Sequence, residues 1–441
     1  MRSRACRARP PRPRPTAPLP RRPPAARGPD LRPFGALTRA LSHRDARIFF
    51  TASLTSWTGL WMHRIAVMWL AWELTGSAFW VGVVAFADLA PAVIFSPIAG
   101  AMADRMDRVK LTMIAQVAVA AAALCTALLT GFGHMSIALL ILFELGSGIA
   151  QSFAQPARQA LMPGLVPAAD LPAAVACNSL CFNVARFLGP AVAGPMVAAW
   201  GVVPAMLCNA LAYSIASLTL VMIRVNPLHL RGHAPEGSLL SEMREGIRYV
   251  ASHPGIGPVL AFAGVSAILL RGVQEVLPPF VERLFHQGAG GLAFLTAAIG
   301  VGALIGGLSV AARGRLQGTT RVTVVAVLIQ SVVVMGFVAT GSFAMAVVCG
   351  VLYGACASAH GISAQTLAQS ASLTRMRGRT LALWGLITRA CPALGAVVLG
   401  STGEVFGMRA PTLIFAGLAL LVAAWGVTRM RAWARHLENP T

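Results

Sequence analysis

Residues 79–131 read FWVGVVAFADLAPAVIFSPIAGAMADRMDRVKLTMIAQVAVAAAALCTALLTG. Two apolar runs, 79–101 and 109–131, flank a short break that gathers Asp104, Arg105, Asp107, Arg108 and Lys110. A helix of about 20 apolar residues, rising 1.5 Å per residue, crosses a hydrocarbon core roughly 30 Å thick. The same theme recurs from about residue 46 onward and predicts twelve such helices, at 48–73, 79–101, 109–131, 135–155, 174–199, 202–223, 257–283, 290–312, 321–341, 343–367, 379–402 and 408–430. The composition agrees. Of 441 residues 56% are hydrophobic and 12% charged, against about 25% charged in an average soluble domain, and the mean hydropathy is +0.69. A soluble globule cannot hide that much apolar surface, whereas a bilayer solvates it. The fold class expected is all-α integral membrane, twelve transmembrane helices in two six-helix bundles.

The net charge of +21 is almost all arginine, with Lys110 the single lysine. No soluble region is left to carry a nucleic-acid site, so nucleic acid is not an expected partner. Of the 36 basic residues, 30 lie in the N-terminal stretch, the even-to-odd loops and the C-terminus, while the opposite loops hold only Arg283 and Arg409. By the positive-inside rule both termini are cytoplasmic, which an even helix count also requires. Residues 1–33 carry ten Arg and ten Pro, a composition that cannot form a packed core. They lack the apolar core of a secretory signal and read either as an arm for anionic lipid headgroups or as an over-long gene start. The expected organisation is a tail 1–45, a first bundle 46–223, a linker 224–256, a second bundle 257–430 and a tail 431–441. Within the linker, Ser241 to Ser252 (SEMREGIRYVAS) reads as an amphipathic helix on the membrane surface. Cys177 and Cys181 share one helix face but lack the flanking ligands of a zinc site, and read as small packing residues.

The two bundles repeat one another. Arg64 and Arg271 are 207 residues apart, Gln159 and Gln365 are 206 apart, and Arg186 and Arg389 are 203 apart. Both units share one in/out sense, so this is a parallel repeat, the kind found in transporters whose site lies between the halves near the midplane.

The break from Gly100 to Lys110, with Gly100, Asp104, Arg105 and Arg108, resembles the GxxxDRxxRR signature of the major facilitator superfamily, and the resemblance covers roughly residues 44–435. Gly100 is expected to let the second helix approach a neighbour closely. The resemblance implies that this loop latches the halves in the outward-facing state; the equivalent Arg313-Gly314-Arg315 lacks an acid. The stretch from Pro156 to Pro195, with Pro156-Ala157-Arg158-Gln159-Ala160-Leu161, Asn178-Ser179 and Arg186…Gly189-Pro190, is similar to the branch of enterobactin exporters and macrolide-efflux proteins. EGIRYVASHP (Glu245 to Pro254) and Arg377-Gly378-Arg379 match as well. Gly189, Pro190, Gly194 and Pro195 resemble the superfamily's antiporter motif. Gly and Pro there would let the fifth helix pack tightly and bend.

Ionisable groups inside a membrane helix cost about 2.5–3.5 kcal/mol each on insertion scales. The candidate cavity and coupling residues are Arg64, Asp88, Glu144, Arg186, Arg271, Glu275 and Arg389. Arg271 and Glu275 are four apart and are expected to pair within one helix. Four arginines against three acids make a basic cavity, suited to an anionic or hydrogen-bond-accepting substrate such as a catecholate siderophore; the alternative is that each arginine only holds the fold. Asp88 and Glu144 are the candidate proton carriers, the alternative being static pairing with Arg64 or Arg186. The fourth helix lacks the mid-membrane arginine of many proton-coupled drug exporters. Among the tryptophans, Trp72 and Trp80 read as an interfacial belt, and Trp57 and Trp61 as cavity-lining or lipid-facing. No G-x-x-x-x-G-K-[ST] loop or metal cluster is present in the sequence, so no cofactor is expected. His63 and His360 lie in different halves with no ligand cluster, which speaks against a membrane enzyme. The expectation is a monomeric, proton-coupled exporter of an amphipathic small molecule in the bacterial cytoplasmic membrane, with protons and lipids as its other partners. A multidrug or macrolide pump for cationic or neutral drugs is the alternative.

Overall fold

The computed structural model describes residues 39, 41–223, 239–373 and 375–438, all of whose regular elements are helices. The Arg/Pro-rich stretch 1–33 and linker residues 224–238 lie outside the described residues. In chain order the helices are α1 (Arg44–Thr75), α2 in two stretches (Ala78–Leu89 and Pro91–Arg105), α3 (Arg108–Gly131), α4 (Ile137–Leu161), α5 (Leu171–Trp200) and α6 (Val203–Leu220). The linker helix α7 (Leu239–Ser252) comes next. Then come α8 in three stretches (Ile256–Ser266, Gly272–Glu275 and Leu277–Phe285), α9 (Ala289–Arg313), α10 (Thr319–Ala339), α11 (Phe343–Ala371), α12 (Arg377–Phe406) and α13 (Arg409–Leu437).

Eleven of these, α2–α6 and α8–α13, are long and apolar enough to cross a bilayer. The remaining expected span, α1, has 32 residues but carries His63, Arg64 and Glu73 and is not among the eleven. Local chemistry sets the boundaries. The Asp107 carboxylate accepts from the Val109 and Lys110 amides and starts α3, and Ser136 does the same for α4 through Leu139. Gly76, at φ 57°, ends α1 in the left-handed conformation that costs glycine least. Pro91 offers no N–H to the preceding turn, so α2 is offset at Ala90.

Two expected helices differ in detail. The span predicted at 257–283 is not continuous: a π turn occupies Ala267–Arg271 and the backbone breaks again at Val276 (φ −126°, ψ 39°). The last helix runs on to Leu437 rather than ending near 430.

Within the first six helices α1 packs on α5 and α6, and α3 on α4 and α6; within the last six α9 packs on α11, and α10 on α11 and α13. Between the halves the main contacts are α5 on α9 and α2 on α12. Each of these pairs the fifth span of one half with the second span of the other, which is what a duplicated unit facing its own copy produces. Small residues permit the approach. A Cβ at Gly82 would meet the Ala396 carbonyl at 2.6 Å, and one at Gly300 would meet the Phe187 backbone at 2.9 Å. The cross-half contacts Gly82–Ala396, Ala78–Gly400, Gly194–Ala293 and Ala198–Gly290 lie between the membrane middle and the end remote from the termini. The halves are packed closely there, and the second stretch of α2, toward the end where α1 begins, packs less extensively on α12 than the first stretch does.

Candidate functional site

Neighbouring positions on a helix point about 100° apart, and α1 uses this at His63 and Arg64. His63 turns inward: its Nε2 lies 3.0 Å from Glu144 Oε1 on α4, and both residues are buried inside the first six helices, at 4% and 5% exposure. Arg64 turns to the seam between the halves. Its guanidinium lies 3.1 Å from Glu275 Oε2 on α8 and 3.4 Å from Asp88 Oδ2 on α2. One arginine thus bridges an acid from each half. Placing two carboxylates on one guanidinium offsets the cost of burying it at the seam.

A second polar contact crosses the seam at the residue before Glu275, where Arg186 of α5 donates to Gln274 Oε1 at 3.2 Å. The Trp61 ring lies between the two arginines, its centroid 5.5 Å from each guanidinium, within range for cation–π attraction. Trp57 stacks against Arg158 at 3.9 Å and meets Phe182 edge-on at 5.3 Å. Arg271 and Arg389, both half-buried, make no hydrogen bond or ion pair among the described residues. Arg389 lies within Coulombic reach of Asp88, and Arg271 within reach of Arg186 and Tyr353.

The expected pairing of Arg271 with Glu275 does not occur. The π turn Ala267–Arg271 precedes the regular α turn Gly272–Glu275, so the spacing of four is kept and it is the competing partner that decides the outcome. Glu275 is taken by Arg64 across the seam, and Arg271 is left without a bonded acid. A small apolar cavity of about 20 Å³ adjoins this turn, lined by Val273, Gln274, Leu295, Phe337 and Tyr353 among others. It lies within the last six helices, to one side of the seam. His360 belongs to neither site: its Nδ1 faces the Thr323 carbonyl at 3.0 Å beside Phe262.

At the end remote from the termini a further network escaped the sequence reading. Trp72 Nε1 donates to Glu282, Arg283 donates to the Gly76 carbonyl at 2.6 Å, and Glu404 accepts from the Ala78 amide at 2.9 Å, with Arg283 3.9 Å from Glu404. These bonds tie the α1–α2 turn of the first half to α8 and α12 of the second. Trp72, 6% exposed, is therefore an internal ligand of Glu282 and not part of an interfacial belt; Trp80, at 36%, stays at the surface.

The loop and helix motifs resolve differently. A Cβ at Gly100 would meet nothing within 4 Å, so Gly100 makes no close approach to a neighbour among the described residues. Arg108 donates to the Ala160 carbonyl at 3.1 Å; the Asp104 and Arg105 side chains lie outside the described residues. Pro190 and Pro195 are carried within one continuous α5. Gly189 lies directly against Trp61 and Thr58 of α1, and a Cβ at Gly194 would come 2.7 Å from Ala293 Cβ of α9. These two glycines are contact points of α5, one within its half and one across the seam.

The model of one family, described as a transmembrane secretion effector, matches residues 37–439. The chain belongs to this family of major facilitator transporters. It is a multi-pass membrane protein whose named relatives are exporters and efflux proteins. It is 30% identical over 189 residues to the staphyloferrin A transporter of Staphylococcus aureus, an alignment spanning 42% of this chain and 46% of that one, so just under half of that relative is matched. Macrolide efflux protein A of Streptococcus pyogenes is 21% identical over 82% of this chain and 89% of its own. The enterobactin exporter EntS of Citrobacter koseri is 25% identical over 82% and 84%. Among solved structures, an inward-facing, unoccupied bacterial homologue of the human lysosomal transporter Spinster superposes with a TM-score of 0.68 at 16% identity, covering 89% of this chain and 98% of that one. That likeness concerns the fold.

Proposed function

We propose that this secretion effector expels an amphipathic organic molecule, siderophore-like or drug-like, from the bacterial cytoplasm, and that inward proton flow drives it by alternating access. Both termini are taken to be cytoplasmic, so the more loosely packed end of the seam faces the cytoplasm and is loaded from it. The observation that carries the reading is the Arg64 bridge, with one acid from each half on a single guanidinium. A proton taken up by Asp88 or Glu275 removes one arm of that bridge and loosens the seam; its release restores the seam. Asp88 is the carrier at the seam. Glu144, held by His63, is a carrier set deeper in the first half. Arg186, Arg271 and Arg389 line the path. Transport is read as a monomer's work, since both halves come from one chain.

Drug efflux is the second reading. It is favoured by the match to macrolide efflux protein A over most of the chain. Uptake into inverted vesicles under an imposed pH gradient, comparing a catecholate with a macrolide, tests both. Gradient-dependent accumulation of one of them is expected. No movement of either, with folded protein in the membrane, contradicts the proposal.

A further inference from the structure

Across the seam, the positive charges are not matched evenly. Arg64 has two acids. One turn of α8 from Glu275, Arg271 of the second half lies within electrostatic reach of Arg186 of the first. Neither is bonded to a carboxylate among the described residues: Glu275, the acid within reach of Arg186, is bonded to Arg64. Arg186 spends one N–H on Gln274, while its Nε is buried with no acceptor. Trp61 Nε1, on the ring 5.5 Å from the Arg186 guanidinium, is likewise buried with no acceptor. Two orphaned donors and two guanidiniums with no acid bonded to them therefore meet in one place. A native fold satisfies its buried donors nearly everywhere, so a site that gathers this many without an acceptor is built for an acceptor from outside. One turn toward the end where α1 begins, Phe182 and Trp57 form an aromatic wall, with Phe182 6.3 Å from Trp61 and 5.3 Å from Trp57.

We infer that Arg186, Arg271 and Trp61 form a subsite for an anionic oxygen group, and that the ligand is an aromatic acid whose apolar body lies along Phe182. A planar guanidinium suits a carboxylate or phenolate better than an ammonium would. Because Arg186 belongs to the first half and Arg271 to the second, the anion neutralises charges on both and draws the halves together at the membrane middle. A cation meets two like charges there and is rejected, which separates this class of substrate from cationic drugs.

The inference rests on the exporter reading for the direction of travel, but its test needs no transport. Binding of 2,3-dihydroxybenzoyl-serine and of its methyl ester is measured by calorimetry on the full-length protein in lipid nanodiscs, with the ester removing only the negative charge. The acid is expected to bind at least tenfold tighter than the ester. Arg271→Gln brings that ratio close to one, Arg271→Lys keeps part of it, and Arg186→Gln lowers it in the same direction; thermal melting of each variant establishes that it is folded. Equal affinity of acid and ester, failure of both to bind, or an unchanged ratio in folded Arg271→Gln would each overturn the subsite. A retained preference with no gradient-driven flux of the acid in proteoliposomes would instead overturn the exporter reading and leave the subsite standing.

Discussion

Arg64 on α1 and Glu275 on α8 meet at 3.1 Å, a pair that joins the first six helices to the last six. Asp88 shares the same guanidinium at 3.4 Å. The strength of the seam therefore depends on how many of the two acids are charged.

Replacing Glu275 by Gln leaves Arg64 its bond to Asp88, whereas replacing Arg64 by Gln strands two acids at once. With the pair shielded but not dry, Glu275→Gln is expected to cost about 1–2 kcal/mol. Arg64→Gln should approach the roughly 3–5 kcal/mol seen when a buried pair loses one partner. Thermal melting in detergent ranks them. Equal melting temperatures for the two variants would show that Arg64 does not bridge.

The two proposed proton carriers should separate by location. Asp88→Asn at the seam is expected to abolish gradient-driven transport while leaving the melting temperature within a few degrees. Glu144→Ala also strands His63, whose Nδ1 already lacks a partner, and should cost about 1–3 kcal/mol in stability. Full gradient-driven flux in Asp88→Asn would remove Asp88 from the coupling scheme.

The helices, their order and the duplication were legible in the sequence because a bilayer imposes one length and one period on every span. The ionisable residues stood out as well, since each breaks an apolar run. Their partners did not. Arg271 and Glu275 look paired at a spacing of four, but Glu275 is taken by Arg64 from the other half, a partner 211 residues away that local spacing cannot announce. Glu282, Arg283 and Glu404 were overlooked because charges at helix ends read as ordinary solvent-facing groups. Arg283 did carry a signal, as one of only two basic residues in loops at that end. Gly100 failed in the opposite way: its small size invites close packing, yet among the described residues nothing comes within 4 Å of a Cβ there.

Contact between α5 and α9 offers a direct handle on the closed end. An added Cβ at Gly290 lies 3.6 Å from Ala198 Cβ, within the span a disulfide requires. In a cysteine-free background, Ala198→Cys with Gly290→Cys is expected to cross-link under mild oxidation. Transport should stop and return on reduction. Unimpaired transport by the oxidised protein would mean that this end need not open.

A pH-sensitive joint lies where the linker enters α8. His253 Nδ1 accepts from the Gly255 and Ile256 amides at 3.1 Å each, a cap that requires an unprotonated Nδ1. Burial, and then the nearby His436, hold this imidazole below the usual histidine range. A depressed folded-state value places the cap's contribution above the unfolded pKa of about 6.5, and it is lost as pH falls through the lower folded value. Hydrogen exchange at residues 255–257 should accelerate between pH 7 and pH 5 more than neighbouring amides do, once the intrinsic rate is corrected. His253→Asn, which keeps an acceptor that does not titrate in this range, should flatten that dependence. The same acceleration in His253→Asn would assign the effect elsewhere.

Whether the seam opens at alternate ends is measured most directly by paired spin-label distances between the halves. One pair, Ser179→Cys and Ala312→Cys, reports the more loosely packed end; the other, Trp200→Cys and Gln287→Cys, reports the closely packed end. On adding substrate at acidic pH, a population is predicted in which the first distance shortens and the second lengthens together. Distances that stay fixed, or that change in the same direction at both ends, would contradict a carrier that alternates about the Arg64 bridge.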